Sequence, residues 1–512
     1  MSQEHQNSST KTISAVMAIT LLGKLLGLYR DRLLAVHYGT GMEANAFYTA
    51  SRIPRVFFDA VFASAIAACF IPAFTECLAK RGQKKAFQFA GSFITAITLV
   101  SALLTVLGML CAGPLVTLFA DGYDAPTAAL AAELTRIMFP TVLFTGAAFS
   151  FVGILQSLGE FNVPAFISTV SNLVIILYFW TLNGRFGIWG LAGAFLLGWF
   201  LQAAVQVPAL HRKGFRYRPG LDLRSHEMGQ VLALMGPVMV STWVQPINLT
   251  INSKFGSRLY NGAGVSAIEY DTNLYLILAG VFVLSITNVI FPKLSRLSAG
   301  DDQNAFTDTL RQTLRGTLFF VLPMAAGLMI LSRPLVSFLY GDGEFDAFSI
   351  QITSQGLSLG MAGYAVQNIL SRAYFARQEG KIPLLAGGAS ILVNILLCVV
   401  LTQPFGVAGL AVSSAVSSTV YALLLLLPMQ RREKLLTRAL WSAFGRMLAA
   451  ALLMSAAAAG VCRLTDGLLA GKLGLLLTLG ATALTGVLVY FGAAVLLRLE
   501  ETAILKKLLK RG

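Results

Sequence analysis

Fourteen apolar tracts of membrane-spanning length succeed one another along this chain, at 13–37, 45–76, 88–119, 128–157, 163–182, 187–209, 228–256, 270–295, 308–340, 348–375, 383–402, 406–429, 441–463 and 473–497. Hydrocarbon offers no partner to a backbone N–H or C=O, so such tracts can cross it only as helices that close their own hydrogen bonds. The longest tracts exceed an upright span, which implies tilt or protrusion. With 56% hydrophobic and 12% charged residues and a mean hydropathy of +0.71, the chain cannot cover itself with a water-soluble surface. The fold class that follows is all-α, a polytopic membrane protein of about fourteen transmembrane helices.

The chain also repeats itself at an offset of about 220 residues. Pro114-Leu115-Val116-Thr117 returns as Pro334-Leu335-Val336-Ser337, and Phe70-Ile71-Pro72 as Ile290-Phe291-Pro292. Pro164 with Gly187 and Gly190 returns as Pro383 with Gly406 and Gly409. Copies that begin on the same side of a membrane hold an even number of spans and are related by an axis along its normal. The reading is two pseudo-symmetric six-helix lobes, 13–210 and 228–430, joined by a basic linker at 211–227. An accessory helix pair follows at 431–497, on the outside of one lobe or against a partner. Polar tails at 1–12 and 498–512 complete the chain. Two lobes around a midplane cavity is how many secondary transporters are built, and Pro54, Pro140, Pro237, Pro246 and Pro323 inside spans fit bent helices that line one.

Lys and Arg collect on alternate loops: Lys80, Arg81, Lys84 and Lys85; Arg212, Lys213, Arg216, Arg218 and Arg224; Arg431, Arg432, Lys434 and Arg438. Loops of opposite parity carry Asp121 and Asp124, or Asp342, Glu344 and Asp346. The basic loops are cytoplasmic by the positive-inside rule, which places both termini there too. The sign is weakest after the seventh span, where Lys254 and Arg258 meet Glu269 and Asp271. A net charge of +15 divided among loops on one face matches anionic lipid headgroups better than nucleic acid. In the tail, Ile504, Leu505, Leu508 and Leu509 form one helical stripe and Lys506, Lys507, Lys510 and Arg511 the other, as in a helix lying on the inner leaflet.

Several chemistries are not expected. Cys69, Cys77, Cys111, Cys398 and Cys462 stand singly, without metal spacing, and the four histidines are equally scattered, so neither disulfide nor metal is anticipated. No GxxxxGK[ST] loop and no soluble stretch for an ATPase domain occur, so energy has to come from the membrane potential or a coupling ion, and no cofactor is expected. No Ser/His/Asp, Cys/His or metal constellation within the spans argues for an enzyme. The start lacks a small-residue cleavage site, so the first tract reads as a retained signal anchor.

Ionisable groups carried into the apolar tracts mark the functional region, because burying them is expensive. Arg52, Arg55 and Asp59 fall on one face of the second span. Lys24, Gly27 and Asp31 align on the first, with Arg30 about a third of a turn away. The four cations Lys24, Arg30, Arg52 and Arg55 form an anion pocket in this reading, and Asp31 and Asp59 neutralise them when the anion is absent. The competing reading has Arg30 and Arg32 reaching to an interface and Arg55 with Asp59 as a structural pair. The second lobe offers amides instead: Gln245, Asn248 and Asn252, then Asn273 and Asn288, then Gln367 and Asn368 with Arg372. Of these, Asn252, Asn273 and Arg372 are candidate contacts to a polar cargo, although such amides also glue helices together.

Lys24-Leu25-Leu26-Gly27-Leu28-Tyr29-Arg30-Asp31, followed by Ala44-Asn45-Ala46-Phe47-Tyr48 and Ile53-Pro54, resembles the opening of the MurJ/MviN lipid II flippases of the multidrug/oligosaccharidyl-lipid/polysaccharide exporter superfamily. Phe375-Ala376-Arg377-Gln378-Glu379-Gly380-Lys381-Ile382-Pro383 is similar to that family's loop between spans 10 and 11. Phe161-Asn162-Val163-Pro164-Ala165-Phe166 with Asn172 is similar to the corresponding segment of the first lobe. The resemblance implies a bacterial plasma-membrane flippase for the lipid-linked peptidoglycan precursor. Its cationic cavity would hold the diphosphate, while the polyprenyl tail follows a groove at spans 13 and 14. Cell-wall synthesis proteins are possible partners. Lys24 stands where the family usually has an arginine, and Arg30 matches its second span 1 arginine. Asn45 replaces an expected acid, and Phe58 and Asn273 replace expected arginines on spans 2 and 8.

The mechanism this implies is alternating access, with the lobes rocking about the cationic site and Asp31 and Asp59 pairing with the vacated cations to reset it. An inside-negative potential, worth about 2.3 kcal/mol per charge per 100 mV, drives net negative charge outward. Three alternatives stay open: a flippase for another lipid-linked oligosaccharide, a cation-coupled drug exporter of the same superfamily, and a non-transporting cell-wall scaffold.

Overall fold

The computed structural model describes residues 3–58, 66–233, 244–275, 281–299, 303–341, 347–377, 379–469 and 471–502. Among them there is no strand. The first helices are α1 (Gln3–Tyr38), α2 (Met42–Phe58), α3 (Ile71–Leu110), α4 (Ala112–Phe119), α5 (Ala125–Met138), α6 (Thr141–Ser157), α7 (Asn162–Thr181), α8 (Asn183–Ala204) and α9 (Val207–Arg212). There follow α10 (Val244–Ser257), α11 (Ala263–Tyr275), α12 (Val281–Ala299), α13 (Gln303–Tyr340), α14 (Ala347–Leu359), α15 (Met361–Ala376), α16 (Lys381–Glu433), α17 (Arg438–Thr465) and α18 (Gly471–Leu496). Contacts divide the chain into two compact units, Met1–Ser266 and Ala267–Gly512.

By length and composition, seven helices among the described residues can cross a membrane, or eight if a bent pair counts as one span. Two of the expected tracts, 383–402 and 406–429, are counted together as the one helix Lys381–Glu433, and others are realised as broken helices. The tract 128–157 becomes α5 and α6, bent by 40° at Phe139 and Pro140, where proline contributes no N–H. The tract 88–119 ends its first helix at Leu110 and resumes as α4 after Cys111. Helix α1 begins at Gln3, so residues expected to form the polar tail are helical. Helix α11 begins at Ala263, inside the stretch expected to connect spans 7 and 8. Glu269 in that connection and Asp271 at the start of the eighth tract are both buried. The stripes of the C-terminal tail, Ile504 to Arg511, lie outside the described residues.

The repeat is visible in the backbone. Gly187 within α8 has φ 51 and ψ −142, and its counterpart Gly406 within α16 has φ 56 and ψ −134. A side chain at such angles collides with its own backbone, so only glycine kinks the helix this way. Duplicated glycines thus carry duplicated geometry.

In the first unit, α1 packs on α7, α7 on α8, α2 on α5 and α3 on α6. A π-helical turn, Ile66–Phe70, precedes α3, and its last ring stacks on Phe93 at 4.3 Å and on Phe89 at 5.5 Å. Such ring pairs add about 0.5–1.5 kcal/mol each beyond their buried area. Helix α10 belongs to this unit although the repeat counts it with the second lobe. Polar contacts to α2 and to the loop after α4 hold it there.

In the second unit, the accessory helices α17 and α18 pack on each other and on α13. Small residues let them approach: Ala443, Ala450, Ala451, Ala493 and Ala494 surround Phe319, Met447, Met454 and Tyr490 in one buried cluster. The Tyr490 hydroxyl donates to the Phe319 carbonyl at 2.6 Å. Arg315 on α13 bridges to Glu501 at 2.8 Å and Glu500 at 3.0 Å, pinning the end of the pair.

Candidate functional site

Helices α1 and α2 carry the cations that the sequence singles out, and α7 fixes one of them. At Gly23 an added Cβ would lie 2.7 Å from the Ser168 hydroxyl, so glycine permits the close approach of α1 to α7. That approach brings in Asn172, whose amide nitrogen donates to the Gly23 carbonyl at 3.0 Å. Its amide oxygen accepts from Arg30 Nη1 at 3.0 Å. Arg30 also donates from Nε and Nη2 to Asp31 Oδ1, at 3.0 and 2.6 Å. Neighbouring residues in sequence, Arg30 and Asp31 diverge around the helix at Cα. The long guanidinium arm bends back to close the pair, over a carboxylate that is only 4% exposed.

Arg52 is buried and donates from Nη1 to the Leu249 carbonyl of α10 at 3.1 Å. Arg55, one turn on, is exposed, as is Lys24 on α1. Lys24 lies within the electrostatic reach of both Arg30 and Arg55, and Arg52 within that of Arg55. The four cations therefore share one neighbourhood in the first unit, with Asp31 beside Arg30 as a built-in counter-charge. Like charges gathered at low dielectric repel one another, and an arriving anion relieves that repulsion. Asp59 lies outside the described residues. Asn252 is buried on α10, in the same unit as the cations. Asn273 and Arg372 belong to the second unit, where Arg372 sits over the Phe291 ring at 5.6 Å.

Between Arg30 and Arg52 in sequence stands a hydrogen-bonded knot around Asn45. Asn45 Nδ2 donates to the Thr40 carbonyl at 2.8 Å, and its Oδ1 accepts from the Ser266 N–H at 3.2 Å. The Tyr123 hydroxyl donates to the Asn45 carbonyl at 2.9 Å and meets Thr49 Oγ1 at 2.7 Å. Next to it, Asp121 is clamped by Arg258, from Nε at 2.9 Å and Nη2 at 2.7 Å, and by Lys254 at 3.3 Å. The Gly122 N–H donates to Ser257 Oγ at 3.0 Å. The hydrogen bonds from Arg258 hold the Asp121 carboxyl below its ordinary range, against a smaller opposing effect of burial. Sequence reading treated Asp121, Lys254 and Arg258 only as signs of orientation. Their spacing of more than 130 residues gives no hint that they meet.

A separate cavity of about 500 Å³ opens in the second unit between α13, α17 and α18, lined by Phe320, Met324, Leu328, Met454, Gly486 and Tyr490 among others. Its walls are almost wholly apolar, with Thr482 as a rare polar group.

The lipid II flippase MurJ family model matches residues 34–479, from the end of α1 into α18. The chain belongs to the MurJ family. A probable lipid II flippase MurJ of Vibrio cholerae is 30% identical over 421 residues, 79% of either chain. The lipid II flippase MurJ of Burkholderia cenocepacia is 29% identical over 433 residues, covering 82% of this chain and 84% of its own. Among solved structures, a lipid II flippase MurJ in an inward closed conformation superposes with a TM-score of 0.79 at 25% identity, over 94% of this chain and 98% of that one. An inward-facing multidrug resistance MATE family transporter of the MOP superfamily shares the fold, with a TM-score of 0.67 at 16% identity over 83% of this chain and 98% of its own. Like its relatives in the MurJ family, the protein is a multi-pass helical membrane protein.

Where the MurJ resemblance leads one to expect an acid, Asn45 makes a bond that a carboxylate cannot, the donation to Thr40. The amide is therefore built into its surroundings. At the second departure, the side chain of Phe58 lies outside the described residues. Asn273, the third, is partly buried on α11.

Proposed function

We propose that the protein carries lipid II from the inner to the outer leaflet of the bacterial plasma membrane, as a secondary transporter and not an enzyme. The observation that carries this reading, beside the family match, is the gathering of Lys24, Arg30, Arg52 and Arg55 in one unit, with Asp31 paired to Arg30. A diphosphate is the part of the cargo that hydrocarbon excludes most strongly, and a fixed set of cations lowers that penalty. In the empty state Asp31 holds Arg30; an incoming diphosphate competes with that carboxylate for the guanidinium through its greater charge. Release on the other side returns Arg30 to Asp31 and resets the site. Asp59 is assigned the same role toward Arg55 by its spacing of four in the sequence. Asn252, Asn273 and Arg372 are assigned to the saccharide or peptide portion.

The apolar cavity at the accessory pair suits the polyprenyl chain, which needs volume and dispersion contacts and offers no polar group. Both termini face the cytoplasm in this proposal, where basic loops meet anionic lipid. The driving force is the membrane potential or a coupling ion, with no bound cofactor. Cell-wall synthesis proteins are partners in so far as they supply or consume the cargo.

Labelled lipid II in vesicles containing only this protein tests the reading. The native chain is expected to move the headgroup across the bilayer, while Arg30→Ala and Arg55→Ala insert normally and move little or none. Normal transport by both variants would remove the cationic site from the proposal. Transport of another polyprenyl-diphosphate saccharide in preference to lipid II would select the reading that the neutral Asn273 favours.

A further inference from the structure

The basic linker forms no helix over residues 213–225, yet its backbone is fixed against a membrane-crossing helix of the first unit. Gly82, at φ 78 and ψ 171, breaks α3, so the half that crosses the membrane runs from residue 83. The linker lies along that half. Phe215 is 2% exposed and sets its ring edge-on to Phe87 at 5.3 Å. At Gly91 an added Cβ would lie 2.8 Å from the Arg218 carbonyl oxygen, so the absence of a side chain there lets the two backbones meet. The Gly220 N–H donates to Thr95 Oγ1 and the Asp222 N–H to Ser92 Oγ, each at 3.4 Å. The Tyr217 hydroxyl meets Thr95 Oγ1 at 3.0 Å.

These contacts fix the depth of the segment. Ser92 and Thr95 belong to the apolar tract 88–119, about one to two helical turns past its start. Residues 217–222 therefore run where lipid headgroups give way to acyl chains. Outward from α3 they turn Tyr217, Leu221 and Leu223, which are 46%, 52% and 49% exposed. Interleaved with these stand Arg216, Arg218 and Arg224, exposed as well. From 212 to 224 the chain holds five cations and one acid, Asp222, whose Oδ1 accepts from the Arg224 N–H at 3.2 Å. The ion pairs nearby, Lys80 with Glu76 and Arg81 with Glu227, use other residues. A free anion or an acidic protein would satisfy the guanidinium groups and leave the tyrosine and leucines uncovered. A phospholipid satisfies both, because it carries phosphate and acyl chain in one molecule.

We propose that residues 213–224 are an interfacial strap that binds anionic phospholipid. Arg216, Arg218 and Arg224 take the phosphates, and Tyr217, Leu221 and Leu223 enter the upper acyl layer beside α3. The inference deepens the functional reading given above and takes from it only the leaflet, the inner one, on which the basic loops lie. The family's cargo plays no part in it.

Full-length protein in nanodiscs of phosphatidylcholine, with or without phosphatidylglycerol in both leaflets, tests the strap independently of orientation and transport. Amide hydrogen exchange at 213–224 is expected to slow roughly tenfold when phosphatidylglycerol is present. Arg216→Gln with Arg218→Gln should remove most of that difference. Tyr217→Ser with Leu221→Ser should also remove it, although every charge is kept. Arg431→Gln with Lys434→Gln, on another basic loop, should leave it unchanged. Equal exchange of the native protein in the two lipids overturns the proposal without recourse to any variant, and so does a full difference in the double arginine variant. Equal slowing by free pyrophosphate in phosphatidylcholine discs overturns it too, and would assign the segment to the diphosphate of the cargo. Slowing by soluble polyglutamate alone would likewise overturn it in favour of an acidic protein. No arm measures lipid II movement, so a failure of the cargo reading would leave this result standing.

Discussion

Single residues show how much of this protein's chemistry depends on partners remote in sequence. Arg30 is oriented by Asp31, its neighbour, and by Asn172, which lies 142 positions away. Removing the amide in Asn172→Ala takes away one of the anchors of Arg30. Headgroup transport is expected to fall severalfold while the amount of protein in the membrane stays unchanged, as vesicle assays and immunoblots would show. Asn45 makes the opposite case, a polar side chain whose role is structural. Asn45→Asp keeps the acceptor for the Ser266 N–H but removes the donor to the Thr40 carbonyl and puts two acceptors face to face. An unmet buried group of this kind costs about 1–3 kcal/mol. Thermal unfolding in detergent should register the loss.

At the scale of elements, the breaks in helices matter as much as their lengths. Gly187 and Gly406 hold the same strained angles at equivalent places of the repeat, so Gly187→Ala and Gly406→Ala should each destabilise by about 1–3 kcal/mol, and by similar amounts. A midpoint shift in only one variant would show that the two kinks are not equivalent. The accessory pair is tied to α13 by packing of small residues and by the bond from Tyr490 to Phe319. Tyr490→Phe removes that hydroxyl and frees a buried carbonyl, a loss of about 1–2 kcal/mol. Hydrogen exchange should rise in α17 and α18 before the rest of the second unit.

At the largest scale, one ion cluster ties together segments more than 130 residues apart. The clamp of Asp121 with Arg258 and Lys254, beside the knot around Asn45, joins the loop after α4 to the end of α10. Asp121 has its carboxyl pKa held down in the folded protein. Its contribution is therefore complete above the ordinary carboxylate range and is lost as pH falls through the depressed value. The clamp should stay shut across neutral and mildly acid pH and loosen only in strong acid. Asp121→Asn should imitate that loosening at pH 7, with faster hydrogen exchange at 120–124 and 255–262 and no change at the accessory pair. Asp121 and Arg258 are partly exposed, so raised salt should weaken the clamp in the native protein as well.

Read alone, the sequence determined the solvent and the fold class, and it singled out the candidate cations of the first two spans. Apolar tracts dictate helices because hydrocarbon leaves the backbone no alternative, the repeat dictates two related sets of spans, and the i, i+3, i+4 spacing of Arg52 and Arg55 puts them on one face. These are local or periodic properties, and sequence records them directly. The tertiary structure decided the rest. Which amide would hold Arg30, which cation would meet Asp121, and which hydroxyl would meet Asp271 all depend on segments separated by tens to hundreds of residues. Such meetings are set by how helices pack, and packing is a property of the whole assembly of side chains that no single stretch of sequence contains.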